Sequence, residues 1–173
     1  MDIAERINGH IRSLARLLTE RGETVTAAES LTAGMISASF ADVPGCSDWF
    51  SHGFVTYSDR AKAELLGIDP ELIARETAVS ADVGIRMAEG ALKRSGADYA
   101  VAVTGLAGPF ADENGVPYPL DPRHEPGLVF VSGATKRGAV VKRCVFTGDR
   151  ASIRRQTTLE AVLLLKNMVQ NRL

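Results

Sequence analysis

The segment Asp98–Thr104, DYAVAVT, limits the fold more than any other stretch of the chain. Its interior is apolar at every position, with no polar alternation, and a glycine follows directly. A strand exposed to water on one face would show a period of two. An unbroken apolar run of this length instead fits a strand covered on both faces, as in the middle of a helix-sandwiched sheet. The flanking patterns supply the cover. In residues 2–21, Ile3, Ile7, Ile11, Leu14 and Leu18 recur at three and four residues, with Asp2 placed to cap and Gly22 to stop a helix. Residues 81–95 repeat the pattern with Val83, Met87, Ala91 and Leu92, closed by Gly96.

The rest of the chain falls between these anchors. Residues 24–28 read as a short strand and 32–41 as a helix, ended by the turn residues Pro44 and Gly45. A strand over 53–57, a helix over 58–66 and a short helix after Pro70 follow. GLVFVSGA and AVVKRCVF predict a hairpin around Lys136–Gly138, and residues 150–171 a final helix. Strand–helix alternation followed by a hairpin predicts one α/β domain over 1–173, a three-layer α/β/α sandwich on a mixed, mostly parallel sheet. The stretch from Gly105 to Pro126 is the exception, holding five of the seven prolines. Long irregular connections in compact domains are commonly functional.

Composition narrows the function. With 20 Lys and Arg against 21 Asp and Glu, the net charge is −1, so no global field draws the chain to nucleic acid or an anionic membrane. Cys46 and Cys144 are far apart, and His10, His52 and His124 are scattered, which gives no metal-ligand spacing. The charged N-terminal segment is neither a signal peptide nor a membrane span, and a cytoplasmic protein is expected.

Chemistry-bearing residues gather where strands hand over to helices, the usual ligand position in open α/β sheets. In AAESLTAGM the strand delivers Glu29 and Ser30 to its end, and Thr32, Ala33 and Gly34 open the next helix, whose free N–H groups favour an anion or oxyanion. On this segment alone a simple capping role for Ser30 or Thr32 is the favoured reading, since capping is the commonest job of Ser and Thr there. In VTYSDRAK, Tyr57 closes a strand and Lys62 sits one turn into a helix. A lysine there can simply be solvated; near Ser30 it could instead take the serine proton. That requires its pKa to fall about three units from ~10.4, or ~4 kcal/mol against the ammonium, which burial could supply, with a buried Tyr57 hydroxyl steadying the proton. In AVTGLAGP, Thr104 ends the apolar strand, and Gly105 and Gly108 let backbone approach a ligand or merely turn. Arg150 and Arg154, four apart in FTGDRASIRR, form either a phosphate grip or a solvated face. Neither G-x-G-x-x-G nor G-x-x-x-x-G-K occurs.

Taken in order, AAESLTAG, GFVTYSDRAKAELLG, MAEGALKRSGADYAVAVTGLAGP and FTGDRASIR resemble the CinA C-terminal domain family of nicotinamide-nucleotide amidohydrolases, from about Thr24 to Leu165. The resemblance implies hydrolysis of the carboxamide of nicotinamide mononucleotide, a three-layer α/β/α fold, a homodimer or larger assembly, and neither metal nor redox cofactor. It assigns Ser30 as nucleophile, Lys62 as general base and Tyr57 as their assistant, with Thr104 and Gly105 contacting substrate. It also implies a stand-alone form without the additional N-terminal domain of longer members. Two departures stand out. Ala33 replaces the first glycine of the usual E-S-x-T-G-G, and FADENGVPYPLDPRHEP replaces a short glycine-rich run. They leave open a non-catalytic nucleotide-binding module, or a Ser–Lys hydrolase of another small amide.

Overall fold

The computed structural model describes residues 2–171. Helix α1 (Ile3–Arg21) opens on a reciprocal Asp2–Glu5 capping box and ends at Gly22, whose φ of 62° only glycine adopts without strain. Strand β1 (Val25–Glu29) leads through a turn to α2 (Met35–Ala41), a single 3₁₀ turn (Cys46–Asp48) and β2 (Phe50–Val55). Then come α3 (Asp59–Leu66), α4 (Pro70–Glu76), α5 (Ala81–Ser95), β3 (Tyr99–Gly105), the hairpin β4 (Leu128–Thr135) and β5 (Gly138–Val145), and α6 (Arg150–Asn171). Ser58 and Ser80 cap α3 and α5 with their hydroxyls. Two elements differ from the sequence expectation by more than a residue. α2 starts at Met35 rather than Thr32, because Ala33 and Gly34 take φ values of 50° and 99° that a right-handed helix excludes. The second strand starts at Phe50 and ends at Val55, so Thr56 and Tyr57 lie beyond it.

The strand order is β2-β1-β3-β4-β5. β1 pairs in parallel with both β2 and β3, while β4 is antiparallel to β3 and to β5. Four strands therefore run one way and β4 alone opposes them, giving the mixed, mostly parallel sheet of a three-layer α/β/α sandwich. On β3, Val101 and Val103 pack into the layer of α1, α2 and α6, and Ala100 and Ala102 into the layer of α3, α4 and α5. Alternation is present but invisible as polarity, because both faces are dry. The α5 side uses small residues: a Cβ on Gly84 would come within 2.7 Å of Ser132 Oγ, so α5 lies close on the sheet. On the other side Phe40 meets Trp49 edge-on at 5.6 Å, a pairing that adds about 1 kcal/mol to simple burial.

The topology positions the site. The chain leaves β1 for β2 through α2, then returns across the opposite face to β3 on β1's other side. β1 and β3 thus flank the switch point where doubly wound sheets bind ligands. Ser30, just past β1, donates its N–H to Val103 O at 3.1 Å, which ties the end of one strand to the end of the other.

Candidate active site

Glu29 shapes the turn that carries Ser30. Fully buried, its carboxylate accepts from the Thr32 hydroxyl (2.7 Å), the Gly34 and Ile36 amides (2.9 and 3.0 Å), and the Ser37 amide and hydroxyl (2.8 and 2.7 Å). The amides expected to be free for an oxyanion at the start of α2 are therefore engaged, and Glu29 supplies the negative charge that the helix terminus favours. Leu31, directly after Ser30, borders the cavity described below, and its amide has no acceptor among the described residues. Exposed Ala33, at φ 50°, stands in a conformation that costs an L-residue about 1 kcal/mol.

Lys62 meets this turn from α3. The side chain is 1% exposed, and Nζ lies 3.3 Å from Ser30 Oγ, 3.1 Å from Thr56 O and 3.3 Å from Tyr57 O. Burial pushes its pKa below that of an ordinary lysine, while Asp59, 3.9 Å away, pulls it back up. Nζ donates to two carbonyl oxygens, which can only accept, and to the Ser30 hydroxyl oxygen. Loss of one of its three protons would leave a lone pair facing the Ser30 hydroxyl. Ser30 is 8% exposed, open to the cavity and little else.

That cavity, about 320 Å³, is bounded by Ser30, Lys62 and Asp59, by Ala78 and Val79, by Thr104–Phe110, and by Leu120, Tyr57 and Arg150. A larger hollow of about 690 Å³ between α3, α4 and α5 is lined by Arg86, Glu89, Lys93 and Arg94 but by no serine, threonine or cysteine. The sequence-selected residues separate into two groups. Ser30, Tyr57, Lys62, Thr104, Gly105, Gly108 and Arg150 border the cavity; Thr32, Gly34 and Arg154 do not. Arg154 Nε and Nη2 donate to the Leu31 and Thr32 carbonyls at 3.0 and 2.8 Å, so it clamps the serine turn from behind. Arg150 alone of the two faces the cavity, donating to Tyr57 Oη at 2.8 Å and to Gly108 O.

A buried Tyr57 hydroxyl could steady the Ser30–Lys62 proton, but the residue is 55% exposed and its hydroxyl accepts from Arg150 at the cavity mouth. The physical reason is that β2 ends at Val55, so the chain has already turned outward at Tyr57. Thr104 is buried, its hydroxyl donating to Ala78 O at 2.6 Å. Gly105 serves packing, since a Cβ there would lie 2.6 Å from Leu128 O. Sequence reasoning gave no site role to Asp59, Ala78–Val79, Phe110 or Leu120. Glu29 was noted at the strand end, adjacent to Ser30, but its capping function depends on α2 folding back over it.

Comparison with known proteins adds to this geometry. The family model described as CinA C-terminal domain matches residues 8–169. The chain belongs to the CinA C-terminal domain family. Within the family, it is 42% identical over 160 residues to the nicotinamide-nucleotide amidohydrolase PncC of Escherichia coli K12, covering 91% of this chain and 92% of that one. It is 41% identical to a CinA-like protein of Geobacter sulfurreducens, covering 92% of this chain but 37% of that longer protein. Among solved structures, the competence/damage inducible protein CihA of Agrobacterium tumefaciens superposes with a TM-score of 0.86 at 32% identity, covering 94% and 95% of the two chains. A competence damage-inducible protein A of Klebsiella pneumoniae gives 0.84 at 30% identity, covering 95% and 97%. No helix among the described residues is long and apolar enough to cross a membrane.

Proposed function

We propose that the chain is an amidohydrolase that converts nicotinamide mononucleotide and water to nicotinate mononucleotide and ammonia by a Ser30–Lys62 mechanism. The observation that carries this reading is the buried Lys62 Nζ 3.3 Å from Ser30 Oγ at the wall of a cavity. The whole-length similarity to an amidohydrolase of that specificity supports the substrate. Ser30 Oγ attacks the amide carbon as its proton passes to Lys62 Nζ, and the oxyanion meets the Leu31 amide. The C–N bond then breaks, and Lys62 returns the proton to the departing nitrogen, releasing ammonia. Water adds to the acyl-serine, giving its proton to Lys62. The ester C–O bond breaks, and Ser30 recovers its proton. Arg150, exposed at the mouth beside Tyr57, would pair with the substrate's phosphate.

The test is ammonia release from nicotinamide mononucleotide by the wild type beside Ser30→Ala. Release that falls by about 10³-fold or more in the variant is expected for loss of a nucleophile. Equal release from both would remove Ser30 from the mechanism. The strained Ala33 motivates one second reading, a binding module without turnover: calorimetric binding with no release from the wild type would favour it.

A further inference from the structure

The connection from β3 to β4 contributes Phe110 and Leu120 to the cavity wall, and it is fastened to the α4–α5 junction at few points. Arg123 Nη1 donates to Arg75 O at 2.9 Å. Nε2 of His124 lies 3.0 Å from Val79 O and 3.0 Å from Thr77 Oγ1. A carbonyl only accepts, so Nε2 carries the hydrogen and shares it between the two oxygens. Thr77 is the unusual member of this group, a β-branched residue at φ 68° and ψ 158°, in territory that belongs to glycine. Such a conformation persists only where its surroundings hold it. Here the Thr77 hydroxyl donates to Val79 O at 3.3 Å and its carbonyl accepts from Ser80 Oγ at 3.0 Å. The next residue, Ala78, offers its carbonyl to Thr104 Oγ1. One imidazole from the long connection thus braces the strained residue from which the Ala78–Val79 wall of the cavity extends.

We propose that His124 is a positioning residue for the substrate: it latches the 110–126 segment onto Thr77–Val79 and so fixes together two walls of the cavity, Leu120 and Ala78–Val79. The substrate in this inference rests on the amidohydrolase reading; the latch itself does not. His124 is not among the cavity residues and acts through Thr77 and Val79. Arg123 is exposed, paired with Asp121 at 2.8 Å, and its acceptor Arg75 is also off the cavity, which leaves the wall to His124.

The experiment compares wild type, His124→Ala and His124→Gln, reading KM and kcat for ammonia release and hydrogen exchange at residues 77–80 and 118–126. Glutamine places a side-chain N–H the same number of bonds from Cα as His Nε2. For His124→Ala, loss of one hydrogen-bonding group predicts KM raised about fivefold with kcat within about twofold. Exchange should accelerate in both segments together, and His124→Gln should restore both readouts. Unchanged KM and exchange in His124→Ala, a fall in kcat at constant KM, or a glutamine variant no better than alanine would overturn the latch. If the wild type releases no ammonia, the amidohydrolase reading fails by itself and exchange alone decides. Joint acceleration reversed by glutamine then keeps the latch, and no acceleration removes it.

Discussion

At the scale of single residues, the proposed chemistry turns on how far Lys62 is pushed toward neutrality. Burial lowers its pKa and Asp59 raises it. A base with a lowered pKa is unprotonated over a wider range, so kcat/KM should rise with pH through an apparent pKa below the ordinary ~10.4 and level off above it. Asp59→Asn removes the opposing influence, and the rising limb should move to lower pH; a limb that stays in place or moves up would separate Asp59 from Lys62. Ala33 presents a simpler balance. Its φ of 50° costs about 1 kcal/mol, and no packing is lost on shortening an exposed methyl. Glycine gives back part of that through the greater freedom of the unfolded chain. Ala33→Gly should therefore stabilise the fold by about 0.5 kcal/mol, read as a higher urea midpoint at unchanged slope.

The elements decide what two identical side chains do. Arg150 and Arg154 lie one turn apart on α6, yet one faces the cavity and the other holds the carbonyls of Leu31 and Thr32. Charge-assisted bonds to partly buried carbonyls are worth about 1.5–3 kcal/mol, so Arg154→Ala should lower stability by about 2 kcal/mol and kcat with it. Arg150→Ala should instead raise KM for a phosphorylated substrate with little change in melting temperature. Thermal melts and steady-state kinetics on both variants check the division; matching losses of stability would refute it. The same logic governs the serine turn. Glu29 lies on β1, but its partners are the first amides of α2, so neither element alone shows why a carboxylate is buried there.

Across the whole molecule, two layers of helices confine a sheet whose centre is dry on both faces. The buried runs of β1 and β3, the helical periods of α1 and α5 and the β4–β5 hairpin were all legible in the chain, because each is a pattern among neighbours on one element. Close approach between elements was not. Gly9 and Gly90 are both glycines inside helices, and nothing along the chain distinguishes them. A Cβ on Gly9 meets nothing within 4 Å, whereas one on Gly90 would fall 2.4 Å from Leu66 O, where α5 presses on the end of α3. Gly9→Ala should stabilise by about 0.5–1 kcal/mol through helix propensity. Gly90→Ala should destabilise by about 2 kcal/mol through overpacking, and urea titrations of the pair give opposite signs if the layers pack as described.

By itself the sequence determined the layering, the strand ends at which Ser30, Lys62 and Thr104 meet, and the family, since hydrophobic period and short motifs are local quantities. Tertiary structure alone decided that Tyr57 points outward to Arg150, that Arg154 clamps rather than binds, and that Glu29 occupies the amides of α2. It also decided that Leu120 forms a wall. Each of these depends on where an element distant in the chain comes to rest, and that placement is set by packing of all layers at once, which no single stretch of residues encodes.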